Sequence, residues 1–261
     1  MDLDAVRMQF DREMRRDARP DGPGCTVERV GDVVRQTGPA HAWNGVLWSG
    51  LDAARADAAI AGQVRHFTAL GLGFEWKLYA HDHPRDLGGR LRAAGFTAEP
   101  EEALMVADAG DLARSGRSAG IPEGIVVRPV MDEAGVALVT EVHERAFGID
   151  ASGLRRQLLD RLAAQPDTVA AVVALDGDRP VSSARLELQP GTRFAGLWGG
   201  GTVEEWRGRG VYRALVAHRA RIAAERGYHY LQVDASALSR PILARLGFAQ
   251  LSTTTPYTYA P

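Results

Sequence analysis

Residues 199–216 read GGGTVEEWRGRGVYRALV, and the reading of this stretch decides the rest. Three successive glycines end a strand poorly unless the backbone must bulge there or something must approach it closely. Further on, Val211, Leu215, His218 and Ile222 recur at i, i+4, i+7 and i+11, the spacing of a helix that packs one face on a sheet. Between strand and helix stands RGRG (207–210). Gly208 and Gly210 remove side chains where the first helical N–H groups lack partners and the helix dipole is positive. Such a terminus receives phosphate, and Arg207 and Arg209 add charge suited to a diphosphate.

Around this junction lies an ordinary globular chain. It has 261 residues, 45% hydrophobic and 25% charged, enough for one large domain or two small ones. A net charge of −2 gives no global field for nucleic acid or anionic membrane, and no apolar run is long enough to span a bilayer. The N-terminal MDLDAVRMQFDREMRRD lacks the apolar core of a signal peptide. Cys25 is the single cysteine, which excludes an internal disulfide and a cysteine-built zinc site and fits a reducing cytoplasm. Of the 31 basic residues only Lys77 is lysine, so the arginine abundance reads as coding bias and only arginines at special positions count.

The order of elements predicts an α/β fold. A helix over 2–18 precedes strands at 26–36 and 43–50, a helix from 52 to 70, the strand FEWKLYA, a helix at 84–95 and the strand ALMVA. The Gly- and Ser-rich stretch 107–124 reads as a linker, giving domains 1–115 and 120–261. Beyond it the order is βααβββαβαβ, an α/β sandwich with a mixed sheet. GFEWKLYAHDHPRDLGGRLRAAGF (73–96) echoes GYHYLQVDASALSRPILARLGF (227–248), and GVLWSG (45–50) echoes GLWGGG (196–201), which suggests a duplicated half. The first half has LDAARADAAIAGQ where the second has RGRG, so it is expected to have lost diphosphate binding and to shape an acceptor cleft.

WRGRGVYRAL resembles the pyrophosphate-binding motif of the GNAT superfamily of acyl-CoA-dependent N-acetyltransferases, Arg/Gln-x-x-Gly-x-Gly/Ala. Arg207 and Gly210 match it, while Tyr212 stands where a small residue is usual. The resemblance spans 124–261 and implies a GNAT-like sandwich in two tandem copies, the N-terminal one degenerate. It further implies acetyl-CoA as co-substrate and direct attack by an amine, from a small molecule or a peptide, without an acyl-enzyme. Gly201, Thr202 and Val203 would then lie along the pantetheine arm, and Gly208, Arg209, Gly210, Val211, Tyr212 and Arg213 would hold the diphosphate with Arg207. The glycines at 199–201 would form a bulge that lets the thioester reach a backbone N–H. The family's Asn-x-x-Ala-x-x-x-Tyr pattern falls on Ser236, Ser239 and Leu243, which makes the two serines candidate cofactor contacts and leaves the tyrosine that protonates the leaving thiolate absent. Tyr257 is a substitute donor or a packing residue. Glu187 and then Glu144 are the candidate bases, and Asp234 is a candidate cap for the following helix.

His81 and His83 lack the further clustered ligands of a metal site, and no metal is expected. Two rival readings are a CoA-binding module without catalysis, used for sensing, and a nucleotide phosphotransferase. The second lacks a Gly-Lys-Ser/Thr ending.

Overall fold

The structure, a computed structural model, describes residues 1–115 and 120–261. Its contacts divide the chain into two compact units that are not contiguous in sequence. One holds Met1–Met105, Asp234–Leu243 and Ala249–Pro261; the other holds Val106–Val233 and Ala244–Phe248. The linear boundary expected between 115 and 120 falls on 116–119, outside the described residues. The stretch 107–124 is not all linker: Ala109–Ser115 form a helix whose first turn is capped by Asp108, which accepts from Asp111 N, and whose Leu112 is buried.

The first unit opens with α1 (Leu3–Phe10), capped by Asp2, and continues through a π-helical turn at Asp11–Arg16. The strand expected over 26–36 is a hairpin, β1 (Thr26–Val30) and β2 (Val33–Thr37), because Gly31, with φ +60°, reverses the chain. Then come β3 (Gly45–Ser49), α2 (Ala56–Ala69), β4 (Phe74–Tyr79), α3 (Leu87–Ala93), the short β5 (Thr97–Ala98) and β6 (Glu102–Asp108), which runs on into the second unit. The final strand, β12 (Ala249–Tyr259), pairs antiparallel with β4 and β5, so the order within this unit is β1–β2–β3–β4–β12. Its core gathers Ile60 and Phe67 of α2, Phe74 and Trp76 of β4, Leu87 and Leu91 of α3, and Tyr257. Phe67 stacks on Phe74 at 4.2 Å and Phe96 meets Phe74 edge-on at 5.2 Å. Each such buried ring contributes roughly 1.5–3 kcal/mol.

The second unit contains α4 (Ala109–Ser115), β7 (Ile125–Val130), α5 (Glu133–Phe147), α6 (Ser152–Ala164), β8 (Val169–Asp176), β9 (Arg179–Leu188), β10 (Phe194–Thr202) and α7 (Val211–Glu225). β11 (Tyr230–Ala235) and α8 (Arg240–Arg245) each divide between the units. Strand order here is β11–β10–β9–β8–β7, antiparallel except for β10 with β11. Alternation along β8 explains the packing. Ala171, Val173 and Leu175 meet Val136 and Val139 of α5 and Leu158 of α6, whereas Val172 and Ala174 meet Val211 and Leu215 of α7. Asp132 caps α5 at its start, and Gly148 at φ +71° ends it.

Candidate functional site

The two echoed segments fold alike. In each, a strand leads to a short helix, then to a glycine of strongly positive φ (Gly95 at +96°, Gly247 at +97°) and a buried phenylalanine (Phe96, Phe248). The strands named in the shorter echo also match. β3 pairs parallel with β4 only at Gly45 and Val46, and β10 pairs parallel with β11 only over Phe194–Gly196. Beyond Gly196, β10 keeps β9 alone, and its other backbone edge is open among the described residues.

The expected bulge is present. Trp198 faces Arg185 and Gly201 faces Ser183, so one extra residue is inserted in β10 between them, and Gly199 takes φ +56°. The glycines here are spatial requirements. A β-carbon at Gly200 would lie 2.9 Å from Tyr212 Cε2, and one at Gly201 would lie 2.8 Å from Phe147 Cε2. Val203, one of the residues expected along an extended ligand, spends its N–H on Val181 O and its carbonyl on Trp206 N, both at 3.0 Å. Gly201 O and Thr202 Oγ1 meet the Ser182 hydroxyl, so the unpaired edge lies chiefly at the bulge.

The turn that follows is open. Gly208 (φ +75°) and Gly210 (φ +86°) use backbone conformations that side chains resist, and Gly210 caps α7 with no side-chain hydrogen bond. Nothing lies within 4 Å of a β-carbon placed at Gly208. Ala214 N is the first helical amide to find a backbone acceptor, Gly210 O at 3.0 Å; among the described residues the amides of Val211, Tyr212 and Arg213 find none. No acidic residue occupies the first turn. Arg209 leans over the Trp206 ring at 4.7 Å. Arg207 is used differently from expectation: its guanidinium donates to Thr202 O and Ala146 O, both at 3.1 Å, tying the end of β10 to the end of α5.

The remaining candidates scatter. Glu187 sits on β9 opposite Gly196 and pairs with Arg185 at 3.0 Å and Arg161 at 3.3 Å. Burial pushes its pKa up, but the two guanidiniums outweigh this and hold the carboxyl below its usual range, which makes it a weak proton acceptor. Glu144 is exposed on α5 and accepts weakly from Ala151 N at 3.4 Å. Tyr257 belongs to the first unit and is 4% exposed within its core, a packing role. Ser236 and Ser239 also belong to that unit, where their hydroxyls meet at 3.3 Å in the turn before α8. Leu243 is fully buried. Asp234 does not cap the next helix; it pairs with Lys77 of β4. His81 joins Asp11, Arg15 and Ser252 in a hydrogen-bonded network, and among the described residues no group of three acidic, histidine or cysteine side chains is placed to hold a metal.

Sequence reasoning missed Arg219. It is 1% exposed on the sheet-facing side of α7, donating to Leu215 O (3.1 Å) and Arg185 O (3.0 Å). The periodic set in the sequence runs through His218 and Ile222, which are only half-buried, whereas Val211, Leu215, Arg219 and Ala223, spaced by four, are buried together with Ala214, Val216 and Ala220. A charged residue at i+8 on an apolar stripe was the available signal.

Comparison with known proteins agrees with this architecture. Residues 136–248 match the model of the Acetyltransferase (GNAT) family. Among solved structures, the fold resembles a GCN5-related N-acetyltransferase from Kribbella flavida (TM-score 0.69, 19% identity, covering 99% of this chain and 94% of that one). It also resembles a functionally unknown conserved protein from Staphylococcus epidermidis (0.69, 14%, 94% and 96%) and a tandem GNAT protein of the clavulanic acid biosynthesis pathway (0.62, 13%, 99% and 87%). A search of curated proteins found no match. No helix among the described residues is long and apolar enough to cross a membrane. The open helix terminus and the bulged strand before it both lie within residues 136–248, the part of the chain that matches the GNAT acetyltransferase family model, and the chain resembles GNAT proteins in fold.

Proposed function

We propose that the chain is an N-acetyltransferase that takes acetyl-CoA as co-substrate and transfers the acetyl group to an amine on a small molecule or peptide. The observation that carries this is the turn at Gly208–Gly210, a helix terminus with unpaired amides, two glycines at positive φ, open space over Gly208, and Arg213 Nη2 and Pro122 Cγ 3.7 and 3.9 Å from a β-carbon placed at Gly210. That is the chemistry a diphosphate requires. The open edge of β10 at its bulge offers backbone groups to an extended pantetheine arm, in the manner of an added strand.

In the proposed reaction the amine nitrogen attacks the thioester carbon. The C–N bond forms, the C–S bond breaks, and sulfur leaves with the bonding pair as thiolate. The ammonium proton passes to a base or to water; Glu144, exposed and outside any ion pair among the described residues, fits this better than Glu187. Localisation in the cytoplasm and independence of nucleic acid and membrane belong to the same proposal.

The test combines binding and turnover. Acetyl-CoA should raise the melting temperature of the protein, and a thiol-reactive dye should report CoA release when amine libraries are supplied. No stabilisation would count against the assignment. Stabilisation without thiol release across a broad amine library would favour the second reading, a CoA-binding sensing module. Buried Leu243 at the position of the family's acid and the ion-paired Glu187 favour that reading.

A further inference from the structure

Two guanidiniums back the glycine bulge of β10. A β-carbon at Gly199 would lie 3.3 Å from Arg185 Nη1, and one at Gly200 would lie 3.6 Å from Arg219 Nη2. Arg185 shares the Glu187 carboxylate with Arg161. Arg219 has no carboxylate partner among the described residues and is nonetheless buried. Its Nη1 takes the carbonyl of Arg185, the residue opposite the start of the bulge, and its Nη2 lies toward Gly200. Burying an ion without its counter-ion is costly. A structural role alone needs one donor to the Arg185 carbonyl, which a neutral side chain could supply.

We infer that Arg219 is a positioning residue for acyl transfer, which fixes the bulge and places a permanent positive charge behind it to stabilise the thiolate that leaves there. The inference rests on the proposed reading of the β10–α7 junction as the acyl-CoA site. It accounts for a departure from the family pattern. The leaving sulfur carries the electron pair of the broken C–S bond, and where Leu243 replaces a proton donor, a nearby cation lowers the basicity of that sulfur instead. The charged and titratable groups that act on Arg219 are Tyr212 and His218 on α7 and Arg185 on β9, and Arg185 in turn faces Glu187, Arg161 on α6, and His143 with Glu144 on α5. Burial pushes the guanidinium pKa down to about 10, with Tyr212 opposing, so it stays charged at neutral pH.

The experiment needs no acceptor amine. Free CoA is bound to the full-length protein and its thiol titrated by ultraviolet thiolate absorbance, with S-methyl-CoA as the non-ionising baseline. In the wild-type protein the bound thiol should ionise at least one pH unit below free CoA, about a tenfold gain in thiolate-to-thiol ratio at a given pH. R219M should return it to the free value while CoA still binds by calorimetry, and R219K should keep most of the shift. Equal titration in wild type and R219M, both binding CoA, overturns the inference. Should R219M fail to fold, the wild-type titration decides alone: a bound thiol ionising at or above the free value overturns the inference. Absence of CoA binding to the wild-type protein would instead overturn the reading of the junction on which the inference rests.

Discussion

The two units each contain a strand with a bulge, a short parallel pairing and a turn into a helix, and they differ at the turn. At the β10–α7 junction, glycines at positive φ leave the helical amides open and no acid stands in the first turn. At the β3–α2 junction, Asp52 stands in the turn just before the helix, whose N-cap, Arg55, makes no side-chain capping hydrogen bond. The Asp52 carboxylate accepts from Ala54 N and Arg55 N and pairs with Arg55, and Asp57 adds a second acid in the first turn of α2. Hydrogen bonding to Arg55 holds Asp52 below the usual carboxylate range. One helix start carries no acid, and the other has acids in its first turn and in the turn before it. The same succession of strand, turn and helix therefore gives one candidate diphosphate site and one helix start whose acids disfavour an anion.

The sharpest way to break this comparison is Gly210→Glu. A side chain at φ +86° is strained, and the added carboxylate stands where the diphosphate would, so stabilisation by acetyl-CoA should vanish. At a ligand concentration of about 100 Kd this is a loss of roughly 2.7 kcal/mol, read as an absent melting shift. An unchanged shift would refute the site. A second test is stoichiometry: calorimetry should count one CoA per chain, and Asp52→Ala should lower the melting temperature without creating a second site. Two CoA molecules bound to the wild-type chain would erase the distinction drawn here.

A smaller effect is expected at the bulge. Gly200→Val places atoms against Tyr212 and should destabilise the fold by about 1–3 kcal/mol in denaturant melts. A neutral outcome would mean that the bulge accommodates side chains and that its glycines are incidental.

The finest comparison is in pH. Burial, and then Asp234, raise Glu102 in the first unit to about 7 from an ordinary 4.5, so the folded state keeps a proton that the unfolded chain releases. Stability from this group is therefore present below about 4.5 and lost as pH rises toward 7. Glu187 in the second unit is held below its ordinary value, so its contribution is present above about 4.5 and lost on acidification. Melting temperatures from pH 3 to 8 should show Glu102→Gln flattening the neutral side and Glu187→Gln the acid side. The same limb altered in both variants would contradict these assignments.

The amino-acid order determined a good deal. The spacing of Val211 and Leu215, the glycines at 208 and 210 and the strand before them are local signals, and local backbone physics turns them into an open helix terminus. The βααβββαβαβ order and the Gly-Phe echoes were legible for the same reason, since periodicity and positive-φ glycine act over a few residues. Tertiary structure decided what depends on partners distant along the chain. It sent Arg207 to the carbonyls of Thr202 and Ala146, locked Glu187 between Arg161 and Arg185, and buried Tyr257 beside Trp76. It also moved the last strand into the first unit and set Arg219 behind the bulge. A side chain's charge state and neighbours follow from which strands pair and which helices cover them. That information is spread over the whole chain, and no short window of it holds the answer.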